Sequence, residues 1–194
     1  MNMRMKKVID AVLVVVVAIG TTLAVASIPA MQKKEAPGVP VDTSRLFEAC
    51  RSGNTGLLAE ILPSIENFEI HDPTGGATPL STACIFNQPE VVQMLLSSGA
   101  DIDGKNKDGA TAVHTAAFFC RVEVLEILLQ HDPDLTLRNG FGQTAYDTVI
   151  LPWPDVQGIY QFFKKMLPGQ VDLEKIRETR PVVADMLKEH ASGG

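Results

Sequence analysis

Three things are missing from this chain of 194 residues: an excess of basic charge, enough cysteine for a cross-linked scaffold, and any familiar catalytic signature. Lys and Arg number 17 against 23 Asp and Glu, a net charge of −6. Arg4, Lys6 and Lys7 stand against Asp10 in the first ten residues, which leaves 14 basic against 22 acidic residues, −8, in the rest. A body that acidic lacks the basic footprint of a nucleic-acid binder, so DNA or RNA binding is excluded as a main role. Three cysteines cannot all pair with one another, which argues against a disulfide framework. No G-x-S-x-G, H-E-x-x-H, P-loop or dinucleotide glycine fingerprint occurs. His71, His114, His131 and His190 show no metal-ligand spacing with Cys or acidic residues. The pairs Asp101/Asp103 and Asp132/Asp134 lack the spacing of a calcium loop. The expectation is a protein without catalytic residues, metal or cofactor. What remains, 45% apolar and 21% charged, is the composition of a globular domain with at most a tail.

The N-terminus is patterned for export. A short basic stretch, Met1 to Lys7, precedes the apolar run Ala11 to Ile19. Gly20-Thr21-Thr22 then breaks the helix, and Ala24 and Ala26 occupy −3 and −1 of an A-x-A cleavage site before Ser27. Residues 1–26 read as a secretory signal of a short, bacterial-looking type. The competing reading is an uncleaved anchor to about residue 31, since Ala11 to Met31 is uncharged and long enough to span a bilayer. Both readings export the folded part, to the periplasm or to the outer side of the inner membrane. Residues 27–41, with Lys33, Lys34, Pro37, Gly38 and Pro40, form a tether.

Beyond the tether the chain repeats itself. Gly76-Ala77-Thr78-Pro79-Leu80-Ser81-Thr82-Ala83 returns as Gly109 to Ala116 and again as Gly142 to Val149, with the threonines 78, 111 and 144 each 33 residues apart. Glu90 to Leu96 matches Glu123 to Leu129 in the same register, and Leu46 to Leu62 is an earlier, weaker copy. A fixed period of this length implies stacked units, each burying its apolar face on its neighbours.

Thr78-Pro79-Leu80 with Ala83, Thr111 with His114 and Ala116, and the ending Ser98-Gly99-Ala100-Asp101 resemble the ankyrin repeat family. The resemblance implies an all-α solenoid of about four repeats over 42–150, each a turn, two antiparallel helices and a hairpin loop, with degenerate first and last units. Residues 151–191 are expected to be a degenerate C-terminal cap carrying a helical insertion. It also implies that the His114 ring ties one hairpin to the next, and that Asp101 is structural.

The local chemistry agrees with stacked helix pairs. Thr78 and Thr111 suit helix N-caps, Pro79 suits the first helical position, and Gly99 suits a helix end. Between paired helices Gly53 is replaced by Asn87 and then Cys120, of which only Asn tolerates left-handed backbone well. Cys50 and Cys84 fall at equivalent places in successive repeats. Stacked helices lie ~8–10 Å apart, beyond the roughly 7 Å a disulfide tolerates, so both are expected to be buried and unpaired. Cys120 is expected to be more exposed.

One feature exceeds a scaffold. The two positions after the Ala-Ala pair face the concave groove in the family and are normally polar. Here they are Ile85-Phe86 and Phe118-Phe119, with Leu151 following in the next register. Contiguous exposed apolar side chains mark an interaction site. Phe141 at a hairpin tip, with Lys105 and Lys107 on the preceding one, extends that surface. The expected function is therefore non-catalytic binding of a partner protein through groove and hairpin tips, as an accessory or protective partner. Alternatives are a membrane-tethered scaffold, and an enzyme or metal protein with a site in the C-terminal insertion. The groove itself has two arrangements open to it: exposed, or covered by 152–191 through Tyr160, Phe162 and Phe163.

Overall fold

The computed structural model describes residues 43–192. The signal or anchor segment and the tether lie outside the described residues. The described elements are α1 (Thr43–Ser52), α2 (Thr55–Ile61) with a 3-10 turn (Leu62–Ser64), α3 (Pro79–Ile85), α4 (Pro89–Ser97), α5 (Ala112–Phe118), α6 (Val122–Leu129), α7 (Ala145–Ile150), α8 (Trp153–Met166) and α9 (Leu173–Ser192). No strand occurs among the described residues.

The repeat period is written into helix starts. Thr78, Thr111 and Thr144 each accept a hydrogen bond from the backbone N–H three residues on, which satisfies a donor the helix leaves open. Two of these are reciprocal caps. The His114 ring accepts from the Thr111 N–H, and the Asp147 carboxylate accepts from the Thr144 N–H at 2.9 Å. Each such cap is worth about 1 kcal/mol. Pro79 and Pro89 sit in first turns, where a missing N–H costs nothing.

The turn between paired helices needs one left-handed residue per repeat. Gly53, Asn87 and Cys120 take it with φ of 72°, 55° and 53°. At Cys120 this costs about 1–2 kcal/mol of backbone strain, offset by the packing described below.

The helices stack in two rows. α1, α3, α5 and α7 form the inner row, and α2, α4 and α6 the outer row. Ala49, Ala83 and Ala116 are fully buried and let neighbouring helices approach, while Val91, Val92, Leu95, Val124, Leu125 and Leu128 fill the space between rows. Cys50 and Cys84 are free and buried, as the stacking distance requires. Cys120 departs from expectation: it is buried, not exposed, because α9 lies over it with its Sγ 3.8 Å from the Ile176 carbonyl oxygen.

After α7 the period is interrupted. Leu151 is extended, Pro152 cannot continue the helix, and α8 starts instead with Pro154 in its first turn. α9, begun by Asp172 accepting from the Glu174 and Lys175 N–H groups, packs on α7 and touches α5 and α6. α9 thus lies beside α7, and α8 comes between them in the chain. Its buried face, Val156, Tyr160 and Phe163, returns to the C-terminal end of α5.

Candidate functional site

The concave side is a walled channel. Its floor is the inner helices, one wall is the row of hairpins, and the other wall is α8; together they enclose about 580 Å³. Each part follows from specific residues.

The hairpin wall rests on Asp72, Asn106 and Asn139, 34 and 33 residues apart. The Asp72 Oδ1 accepts from the Thr74 and Gly75 N–H groups, the Asn106 Oδ1 from those of Asp108 and Ala110, and the Asn139 Oδ1 from those of Phe141 and Gln143. Each side chain closes its own turn. The hairpins then join through backbone. The Lys107 N–H donates to the Gly76 carbonyl at 3.1 Å, and the Gly140 N–H to the Asp108 carbonyl at 2.8 Å. Gly109, at φ 71°, lies so close to Gly140 that a Cβ would sit 2.9 Å from its backbone nitrogen. The His114 Nε2 lies 3.0 Å from the Gln143 carbonyl oxygen and so ties one hairpin to the next, the role the resemblance implied. Burial holds this imidazole below its ordinary pKa, which keeps it neutral and its Nδ1 an acceptor.

The floor is apolar in effect. Thr82, Thr115 and Thr148, each 33 residues apart, give their hydroxyls to carbonyls of their own helices at 2.9, 3.1 and 2.7 Å. They add no free donor to the channel. Ile85 and Phe86 are half-buried and line it.

The α8 wall is fastened where inner helices end. A helix leaves its last carbonyls unpaired and partially negative, so each end needs a donor. The Gln88 Nε2 serves the Arg51 carbonyl at 3.0 Å. The equivalent residue one repeat on, Arg121, donates to the Ile85 carbonyl and to the Gln170 carbonyl in the α8–α9 loop, both at 2.8 Å. In the next repeat the insertion breaks the register, and the Tyr160 hydroxyl donates to the Phe118 carbonyl at 2.9 Å. Arg180, only 5% exposed, donates to the Tyr160 hydroxyl at 2.9 Å and to the Leu151 carbonyl at 2.6 Å. Burial pushes the Tyr160 phenol up, so it stays a donor. Aromatic contacts complete the seat: Phe118 stacks on Tyr160 at 4.8 Å, and Phe163 meets Phe118 and Phe119 edge-on at 5.4 and 5.3 Å.

The residues singled out in the sequence therefore separate. Ile85 and Phe86 stay on the channel floor. Phe118 is half-buried, and Phe119 is 5% exposed and part of the core, because α8 lies on both. Of the two arrangements open to the groove, covering by 152–191 is the one observed at that pair. Phe141 is 40% exposed at the channel mouth. Lys105 is not on this surface: it borders a separate hollow of about 290 Å³ with Asn67, Phe68 and His71, and its Nζ donates to the Arg138 carbonyl at 3.2 Å. Lys107 is exposed, and its stem runs over Gly76 on the neighbouring hairpin. The builders of the wall, Arg121, Tyr160 and Arg180, were not singled out. A signal existed for Arg180, which shares one helical face with Ile176, Val183 and Leu187.

Two carboxylates border the channel, and their surroundings shift them in opposite directions. Burial alone would raise the Asp72 carboxyl, but hydrogen bonds from Thr74 and Gly75 and the ion pair with Arg51 hold it below the usual range. Asp108 has no partner for its carboxylate among the described residues, and burial raises its pKa. The Cys120 thiol is pushed up to about 11 by burial and the Cys50 thiol to about 12, which leaves neither a nucleophile. Among the described residues no group of three or more His, Cys, Asp or Glu is placed to hold a metal ion, and no helix is long and apolar enough to cross a membrane.

The family described as ankyrin repeats (3 copies) matches residues 46–139. No curated protein matches the chain. Ankyrin-repeat proteins are non-catalytic scaffolds, and their fold is associated with protein–protein interaction. On the match at 46–139, and on the stacked helix pairs with hairpins that occupy that span, this part of the chain belongs to the ankyrin repeat family.

Proposed function

We propose that this chain is an exported recognition module that binds a segment of a partner protein in the channel between its hairpins and α8, acting as an accessory or protective partner. The observation that carries the reading is the channel itself. Contiguous apolar side chains left open on one face mark an interaction site, and here they line a hollow of about 580 Å³ on the concave side. That volume is within the ~300–1,000 Å³ of ligand-sized sites. Ile85 and Phe86 on the floor and Ile159 on the α8 wall supply apolar contact, and Phe141 stands at the mouth.

Export is supported by the patterning of residues 1–26. Sequencing the mature N-terminus separates its two forms: Ser27 means cleavage, Met1 an anchor. The channel is tested by using the natural full chain as bait with and without Phe86→Ser. The reading expects a partner captured by the native protein and lost on Phe86→Ser, with the melting temperature lowered by only a few degrees. Equal capture by both proteins would place binding elsewhere.

A further inference from the structure

The channel is selective in charge. Its charged lining consists of Arg51, Asp72 and Asp108, since His114 is held neutral with both ring nitrogens engaged. Arg51 and Asp72 neutralise each other. The floor threonines spend their hydroxyls on their own helices. That leaves the Asp108 carboxylate, half-buried beside an apolar floor, as the one charged lining group without a partner among the described residues. Its backbone is fully engaged, with the N–H on the Asn106 Oδ1 at 2.9 Å and the carbonyl taken by the Gly140 N–H at 2.8 Å, so the hairpin fixes the residue's main chain while its carboxylate has no partner there.

We propose that the occupant is a short segment of a partner protein whose apolar side chains lie on Ile85, Phe86 and Ile159 and whose lysine or arginine pairs with Asp108. This rests on the channel being the binding site. The exported body, at −8, favours approach of a basic segment as well, because opposite charge speeds encounter.

The test is selection of short random peptides, displayed on phage, against the full chain. Selected peptides are expected to carry a Lys or Arg between apolar residues. Asp108→Asn should weaken them roughly tenfold, as loss of a hydrogen bond to a charged group does, with the melting temperature unchanged. Replacing the peptide's basic residue by Gln, which leaves the protein untouched, should cost the same factor and add nothing in Asp108→Asn. Peptides that lack a basic residue and bind Asp108→Asn as tightly as the native chain, yet are lost on Phe86→Ser, would overturn the charge pairing and leave the channel reading intact. Peptides indifferent to both Phe86→Ser and Ile159→Ser, or no selected peptide at all, would overturn the channel reading and this proposal with it.

Discussion

Replacing Phe119 by alanine tests whether α8 is truly seated on the repeats. The ring is 5% exposed, lies 5.0 Å from Phe118 and 5.3 Å from Phe163, both edge-on, and has the Arg121 guanidinium over it at 5.8 Å. Truncating a buried phenylalanine removes its transfer energy and leaves a cavity, together about 3–5 kcal/mol. For a domain of this size each kcal/mol shifts the melting temperature by about 2–4 °C, so a fall of about 6–20 °C follows. Trp153, the single tryptophan, stacks on Tyr160 within α8 at 5.7 Å, so its fluorescence reports the wall while far-UV circular dichroism reports the stack. In urea, the variant should lose tryptophan signal at lower denaturant than the native protein does. Phe141→Ala, at an exposed hairpin tip, is the control and should change stability by about 0.5 kcal/mol or less. A Phe119→Ala protein within about 1 kcal/mol of the native one would refute the seating and return Phe119 to the surface.

Other consequences are equally direct. Arg180→Ala should cost about 2–3 kcal/mol by urea unfolding, since it strips the Leu151 carbonyl and the Tyr160 hydroxyl of a charged donor; an unchanged midpoint would show that the wall does not depend on it. His114 is held neutral when folded, so the unfolded chain gains a proton first as pH falls below about 6.5, and stability should drop from there toward the lowered folded pKa. His114→Gln should remove that part of the pH slope, and a slope unaltered between pH 7 and 5 would contradict the assignment. In the folded protein Cys50, Cys84 and Cys120 should not react with a thiol reagent, and all three should react in denaturant; one fast-reacting thiol in the native state would show that α9 does not cover Cys120.

What could be read from the sequence was whatever is set within one repeat. The threonine caps, Pro79 and the left-handed turn at Gly53, Asn87 and Cys120 involve partners a few residues away, so register places them, and the His114 tie was implied by the family resemblance. The groove-facing places of Ile85 and Phe86 were likewise implied by the resemblance, and both line the channel. What could not be read lies where the period breaks. Whether Phe118 and Phe119 are covered depends on where α8 lands, and that is decided by Tyr160 and Arg180 finding main-chain carbonyls at residues 118 and 151. Carbonyl acceptors leave no side-chain pattern to read. Cys120 was misplaced for the same reason: its cover, Ile176 on α9, is 56 residues away.

The central claim is that a partner lies in the channel between the hairpins and α8. Site-specific photocrosslinking in the natural host tests it most directly, with a photoreactive side chain at Ile159 on the channel wall or at Glu126, exposed on the outer helix α6. The account predicts a discrete protein adduct from position 159 and none from position 126. An adduct from position 126 with none from position 159 would contradict it.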